Sequence, residues 1–82
     1  MATIRLPVSD AGEAPSVAGD FNKWTPARME RDGKFWSYRV AAPPGLYNYA
    51  FVSSDGKWFV PESVPGRKSD GMGGYLAVLV IR

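Results

Sequence analysis

The sequence contains neither cysteine nor histidine. Without cysteine, a disulfide framework, a thiolate nucleophile and a thiolate metal site are all excluded. Without histidine, the chain also lacks the commonest general base and metal ligand of proteins. These two absences exclude much enzyme chemistry, so we expect a protein that is not an enzyme and that carries no cofactor and no metal.

Charge clusters and long apolar runs are also absent. Ten Lys and Arg against eight Asp and Glu give a net charge of +2, and only Arg67 and Lys68 are adjacent basic residues. We interpret this pair as a solvated loop face. A nucleic-acid-binding protein normally has a basic cluster, so no nucleic-acid partner is expected. The longest apolar run, Leu76 to Ile81, is far shorter than the roughly 20 residues that span a bilayer, so no membrane partner is expected within this chain.

The start of the sequence bears on location, and its length bears on domain organisation. The first residues, MATIRLPVSD, lack the apolar h-region of a secretory signal peptide. We therefore expect a cytoplasmic protein, with an extracytoplasmic location as the alternative if the domain is excised from a membrane-tethered protein. The 82 residues predict a single small domain over residues 1–82, whose thin core needs most of the large apolar side chains.

Apolar residues alternate with period two, which is typical of half-buried β-strands. In the segment 35–40, the face predicted to lie in the core carries Trp36, Tyr38 and Val40. The segment 46–52 also has a face that we assign to the core, formed by Tyr47, Tyr49 and Phe51. The opposite face of that segment carries Leu46, Asn48, Ala50 and Val52.

Glycine and proline mark the turns between strands. Pro43-Pro44-Gly45 predicts a turn that makes the two strands above antiparallel neighbours, and Asp55-Gly56 predicts a tight hairpin that returns through residues 57–60. Further strands are predicted at residues 3–8, 14–18 and 75–81, and an irregular loop at residues 61–74. No segment has helical periodicity over three turns, so the sequence predicts a small all-β sandwich of six or seven strands.

Several motifs, taken in chain order, resemble one family. They are GDFNKW, an acidic residue and glycine before the strand of Trp36, PPGLYNYAFV, DGKW and SDGMGGYLAVLV. Together they cover about residues 3–82 and resemble the family-48 carbohydrate-binding modules. The resemblance implies an immunoglobulin-like, early-set antiparallel β-sandwich. Domains of this family precede glycogen-branching and glycogen-debranching catalytic domains and occur in the β subunit of AMP-activated protein kinase.

The resemblance also implies the residues of a sugar site. In glycogen-binding members two tryptophans stack on glucose rings, and Trp24 and Trp58 match them. An apolar residue of the last loop reaches through the sugar helix, and Met72 matches it. A lysine and an asparagine of that site are matched here by Ala50 and Leu76.

The expected ligand is an α-glucan such as glycogen or a maltooligosaccharide. Its sugar rings present C–H-rich faces between rims of hydroxyl groups, and proteins bind these with flat aromatic faces and with amides or charges. Trp24 and Trp58 are the candidate platforms because both adjoin loops. The candidate hydrogen-bonding residues are Asn22, Lys23, Asn48 and Lys57.

Each of these residues also has a purely structural interpretation. Trp24 would then cover a sheet edge, Trp58 would fill the core, and Met72 would anchor its loop on the core. Asp20 and Asn22 are typical of Asx-type turns, in which the side chain bonds the backbone that follows.

Two functions from different classes therefore stay open. The first is non-catalytic glucan binding. In the second the sugar site has decayed, because Ala50 and Leu76 remove two hydrogen-bonding groups, and the sandwich serves protein interaction or spacing. Leu76 would then extend an apolar surface through Leu46, Val52 or Leu79. The partner in that case would be an adjoining catalytic or regulatory domain.

Catalysis by this chain alone is not expected. A glycosidase needs two carboxyl groups on either side of a sugar cleft. Asp55 and Asp70 both adjoin glycine in turn sequences, and a domain of this length has little room for a cleft. We therefore expect an accessory domain and not an enzyme.

Overall fold

A computed structural model describes residues 2–82. These residues form nine β-strands and two short 3₁₀ turns, and none of their helical segments is long and apolar enough to cross a membrane. The strands are β1 (Ala2–Pro7), β2 (Ser16–Gly19), β3 (Ala27–Arg28), β4 (Glu30–Asp32), β5 (Phe35–Val40), β6 (Gly45–Val52), β7 (Trp58–Phe59), β8 (Lys68–Ser69) and β9 (Tyr75–Ile81). The 3₁₀ turns are Val8–Asp10, after β1, and Asp20–Asn22, after β2.

The strands form two antiparallel sheets. The first sheet has the order β1-β5-β4, and the second has the order β3-β2-β6-β9-β8, with β7 also paired to β6. This architecture confirms the predicted all-β sandwich. The described residues contain nine strands where six or seven were expected, because β3, β4 and β8 are only two or three residues long. Strands of that length are too short for an alternating pattern to be recognised.

The predicted pairing of β5 with β6 is wrong. β5 pairs with β1 and β4 in the first sheet, whereas β6 pairs with β2, β7 and β9 in the second. Residues 41–44 carry the chain from one sheet to the other. Pro43 and Pro44 favour extended backbone and lack N–H donors, so this segment crosses the sandwich and does not close a hairpin. The second predicted hairpin is confirmed, since Val52 lies opposite Trp58 and Gly56 has a φ of 87°.

The core lies between the inner faces of the two sheets. Its buried side chains come from both sheets and include Leu6, Val17, Met29, Trp36, Val40, Tyr49 and Phe51. Full burial of one large apolar side chain contributes about 1.5–3 kcal/mol to folding. The indole N–H of Trp36 donates to the carbonyl oxygen of Ala11 at 2.8 Å, so its one polar group is paired. The predicted core faces of β5 and β6 are therefore confirmed, with Tyr38 and Tyr47 partly buried at the margin. Ala50 and Val52, on the opposite face of β6, are also buried, so the alternation of β6 does not extend to its C-terminal half.

The outer faces of the two sheets differ in polarity. On the first sheet, Ser37 lies between Arg5 and Glu30, which are its directly opposite residues on the two neighbouring strands, and the three form a polar row. On the second sheet Leu46 lies opposite Val80, and Asn48 lies opposite Val78. An antiparallel sheet that packs one face on the core usually turns a polar face to water. The apolar outer face of the second sheet is therefore the candidate binding surface.

Candidate functional site

The turn after β2 is braced by its own polar groups. The backbone N–H of Gly19 donates to the side-chain oxygen of Asn22 at 3.0 Å. The side-chain nitrogen of Asn22 donates to the carbonyl oxygen of Val17 at 3.2 Å, and the backbone N–H of Trp24 donates to the carbonyl oxygen of Gly19 at 2.9 Å. Asn22 therefore bonds the backbone that precedes it, not the backbone that follows as in the predicted Asx turn. Both ends of its amide stabilise the turn.

Two consecutive residues of this turn have left-handed backbone conformations. Lys23 has a φ of 57° and Trp24 a φ of 59°, and neither is glycine. For a residue with a Cβ this conformation costs roughly 1–2 kcal/mol. Such strain persists where surrounding contacts fix it, and it is concentrated at functional sites. The reversal of the chain brings the ring of Trp24 beside Trp58.

Trp24 and Trp58 form an inclined aromatic pair. Their ring centroids are 6.2 Å apart, and their planes make an angle of 39°. Trp24 is half-buried and packs against the core, whereas Trp58, on β7, is 53% exposed. The structure thus brings the two predicted platforms together in one bent aromatic surface, and Trp58 does not fill the core.

A shallow concavity adjoins Trp58 on the second sheet. Its volume is about 460 Å³, which lies within the range of small-ligand sites. Ala50 and Leu76 contribute to its lining, together with Asp70 and Gly74 from the last loop. The two positions where the resemblance implies polar residues therefore lie beside Trp58, but they carry apolar side chains, and Ala50 is buried.

Two larger depressions lie elsewhere on the surface. One, of about 660 Å³, is lined by residues that include Ile4 and Val64, and another, of about 720 Å³, lies beside Trp36. The Trp36 ring is buried and its indole N–H is bonded to the backbone, so it is not a platform. The smaller concavity is lined by two exposed aromatic rings, Trp58 and Tyr75, together with apolar residues, and it is therefore the preferred candidate.

The last loop presents Met72 to solvent. The carboxylate oxygen Oδ1 of Asp70 accepts the backbone N–H of Met72 at 2.7 Å and that of Gly74 at 3.0 Å. The backbone N–H of Asp70 in turn donates to the carbonyl oxygen of Gly74 at 3.1 Å. These bonds close the loop, and Met72 at its tip is 87% exposed. Met72 is therefore not a core anchor of this loop.

The other predicted polar residues lie around the same face. Asn48 lies on β6, half-buried, on the face that also carries Ala50. Lys23 is exposed at the turn, and Lys57 is exposed in the hairpin before Trp58. The ammonium group of Lys57 lies 3.9 Å from Oδ2 of Asp55, an exposed ion pair. The amide of Asn22 is used within the turn.

The carboxylates of Asp55 and Asp70 accept hydrogen bonds from groups of their own turns. The hydroxyl of Ser53 donates to the Asp55 carboxylate, and the backbone N–H of Lys57 donates to it at 3.3 Å. These two bonds, chiefly the one from Ser53, hold the pKa of Asp55 below its ordinary value. Asp70 likewise accepts N–H groups of its own loop. Within residues 2–82, no three acidic side chains are grouped so that they would hold a metal ion.

Two residues of this surface have contacts that differ from their predicted roles, since Asp20 does not close an Asx-type turn and Lys68 does not lie in a loop. Asp20 accepts the indole N–H of Trp24 at 2.9 Å through Oδ1 and the backbone N–H of Asn48 at 2.8 Å through Oδ2. Lys68 lies on β8 directly opposite Leu76, so it belongs to the outer face of the second sheet and not to a loop. Neither contact leaves a local signal in the sequence, because each depends on which strand residues lie opposite one another.

The arrangement as a whole offers stacking surfaces with a few charged and amide groups at their margin. This chemistry suits an uncharged ligand that has both apolar faces and hydroxyl groups. A scan against protein-family models and a search of curated proteins found no match to this chain.

Proposed function

We propose that this protein is a non-catalytic module that binds α-glucans, such as glycogen or maltooligosaccharides, through stacked tryptophans. The observation that carries the proposal is the inclined pair of Trp24 and Trp58, with ring centroids 6.2 Å apart at a partly exposed surface. Aromatic faces of this kind stack on the C–H-rich faces of sugar rings. The resemblance of the ordered motifs to family-48 modules, with their immunoglobulin-like fold, supports the same function.

The angle between the rings favours a curved glucan over a flat one. Successive rings of an α-1,4-linked glucan are inclined because the chain coils, whereas a β-1,4-linked glucan is an extended ribbon. Two platforms inclined at 39° match inclined sugar rings better than coplanar ones. The proposed ligand class is therefore the α-1,4/1,6-glucans.

Polar contacts in this proposal come from the margin of the site. Asn48, Lys23 and Lys57 supply hydrogen bonds to sugar hydroxyls, and Met72 supplies an apolar contact from the last loop. Ala50 and Leu76 offer no hydrogen bonds at the centre, which lowers both affinity and orientational selectivity. Weak binding is expected, because stacking at an exposed surface adds little beyond the water that it displaces.

Tryptophan fluorescence during titration with maltoheptaose tests the proposal. The wild-type protein is expected to give a saturable change in fluorescence, and Trp24→Ala and Trp58→Ala are each expected to lose it. Phe35→Ala is the matched control, because Phe35 is an exposed aromatic residue on the first sheet. Cellohexaose is the control ligand and should bind more weakly than maltoheptaose. If neither maltoheptaose nor glycogen shifts any backbone amide resonance, the proposal is wrong.

A second candidate function is protein interaction through the same sheet. Leu46 is 73% exposed and Val80, directly opposite it, is 49% exposed, which is unusual for adjacent apolar residues of a solvated face. Two residues predicted to be part of this surface do not belong to it, because Leu79 lies opposite Tyr47 on the inner face and Val52 is buried. The proposed partner is an adjoining catalytic or regulatory domain. Self-association of the chain through the same apolar face is the measurement that reports whether this face binds protein. Self-association in sedimentation equilibrium that Leu46→Lys abolishes would support it, and a monomer that binds only glucan would exclude it.

A further inference from the structure

Asp20 links the turn that carries Trp24 to the middle of the second sheet. Its Oδ1 accepts the indole N–H of Trp24 at 2.9 Å, and its Oδ2 accepts the backbone N–H of Asn48, 28 residues away, at 2.8 Å. Hydrogen bonds to an ionised carboxylate are roughly twice as strong as those between neutral groups. Both oxygens of one side chain are therefore used to join a ring to a strand.

The bond to Asn48 extends the ladder between β2 and β6. β2 ends at Gly19, which lies opposite Tyr49, so the next residue, Asp20, lies beside Asn48. At Asp20 the main chain enters the 3₁₀ turn and leaves the sheet. The carboxylate accepts the strand N–H in place of a main-chain carbonyl. β6 thus fixes the position of Asp20, and Asp20 fixes the edge of the Trp24 ring.

The second platform is held from the same strand. Trp58 lies on β7 opposite Val52, and β7 pairs with β6. The two tryptophans are therefore attached to β6 at Asn48 and Val52, four residues apart, or roughly 13 Å along the strand. The spacing and angle of the aromatic pair depend on this common support. Asp20 is the residue that connects the ring of Trp24 to β6.

We propose that Asp20 is a positioning residue of the glucan site, which orients the Trp24 ring without touching the sugar. This inference rests on the proposed function. Because Trp24 uses its N–H on Asp20, the ring offers only its faces to a ligand. The backbone of the turn keeps its own hydrogen bonds if this bond is lost, but the indole ring loses its polar anchor and samples other orientations. A platform fixed in advance binds with a smaller loss of entropy, so removal of Asp20 weakens binding.

Affinity for maltoheptaose and the indole Hε1 resonance of Trp24 test this role together. The resonance is assigned by its absence from Trp24→Ala. Asp20→Ala is expected to weaken affinity about tenfold, or about 1.4 kcal/mol, and to speed hydrogen exchange of the Trp24 indole while that of Trp36 is unchanged. Asp20→Asn retains one acceptor oxygen, so its affinity and its Trp24 indole exchange rate should lie between those of the wild type and Asp20→Ala. Asp32→Ala, an exposed carboxylate on β4 of the other sheet, is the matched control and should change neither readout.

A second variant separates ring orientation from general stability. Replacing Trp24 by 3-benzothienylalanine keeps the ring shape and the bond between Asp20 and Asn48 but removes the indole N–H. It should weaken maltoheptaose binding to a similar degree as Asp20→Ala.

The outcomes separate this inference from the proposed function. If the wild type binds maltoheptaose and both variants bind it equally well, Asp20 has no positioning role, and the glucan site stands without it. If the wild type binds no glucan, the proposed function fails and the inference fails with it.

Discussion

Replacing Gly19 with alanine should destabilise the protein by about 3 kcal/mol, because the turn of GDFNKW packs directly on β6 at this residue. A Cβ on Gly19 would lie 2.6 Å from the carbonyl oxygen of Asn48, 2.7 Å from Cβ of Tyr49 and 2.8 Å from the ring of Phe21. The first two atoms are fixed to the central strand of the second sheet and cannot rotate away. Overpacking typically costs 1–3 kcal/mol, and immobile neighbours place this substitution near about 3 kcal/mol.

Thermal unfolding followed by circular dichroism measures this effect. For a domain of this size 1 kcal/mol corresponds to about 4–8 °C, so the Tm of Gly19→Ala should fall by about 12–24 °C. Gly12→Ala is the matched control, because a Cβ at Gly12 meets nothing within 4 Å. It should stay within about 0.5 kcal/mol of the wild type. If both variants unfold together with the wild type, the close contact between the turn and β6 is refuted.

Two further predictions concern backbone strain and alkaline pH. Lys23→Gly should stabilise the protein by about 1 kcal/mol in urea unfolding, because glycine adopts a φ of 57° without the Cβ penalty; an unchanged midpoint would show that Lys23 is not strained. Burial raises the pKa of Tyr49 above its ordinary value of 10.0, whereas the unfolded side chain ionises near that value. The stability that this difference contributes is therefore complete below about pH 10 and is lost as pH rises above it. Tyr49→Phe should lose less stability than the wild type between about pH 9 and pH 11 in urea unfolding, and an equal loss would assign the effect to other groups.

The strands could be predicted where the alternating pattern is long. β5, β6 and β9 each have six or more residues, and the inner faces of β5 and β6 follow the predicted alternation. The partner of β5 could not be predicted, because Pro43-Pro44-Gly45 indicates that the chain changes direction but not which sheet it joins. That choice depends on contacts with β1, which lies more than 25 residues earlier in the chain.

The candidate site was predictable only in part. The motifs indicated Trp24 and Trp58, and the structure brings their rings together. The bond from Asp20 to Asn48 could not be predicted, because it depends on the register of β2 against β6 and on the residue at which β2 ends. The place of Lys68 was missed for a similar reason, since a two-residue strand leaves no periodic pattern. The prediction that Asn22 stabilises its turn through its side chain is confirmed, although the side chain bonds the preceding backbone and not the following one.

The crossing at residues 41–44 also determines how the domain can be joined to other molecules. Ala2 lies opposite Val40, and Ile81 lies opposite Gly45, so both ends of the described chain lie beside this crossing. Trp58 lies opposite Val52 at the far end of β6, roughly 23 Å away along the strand. A linker, a tag or a solid support attached at either end would therefore extend away from the aromatic pair. A long polymer would still reach both rings of an immobilised or fused domain without steric hindrance from the attachment.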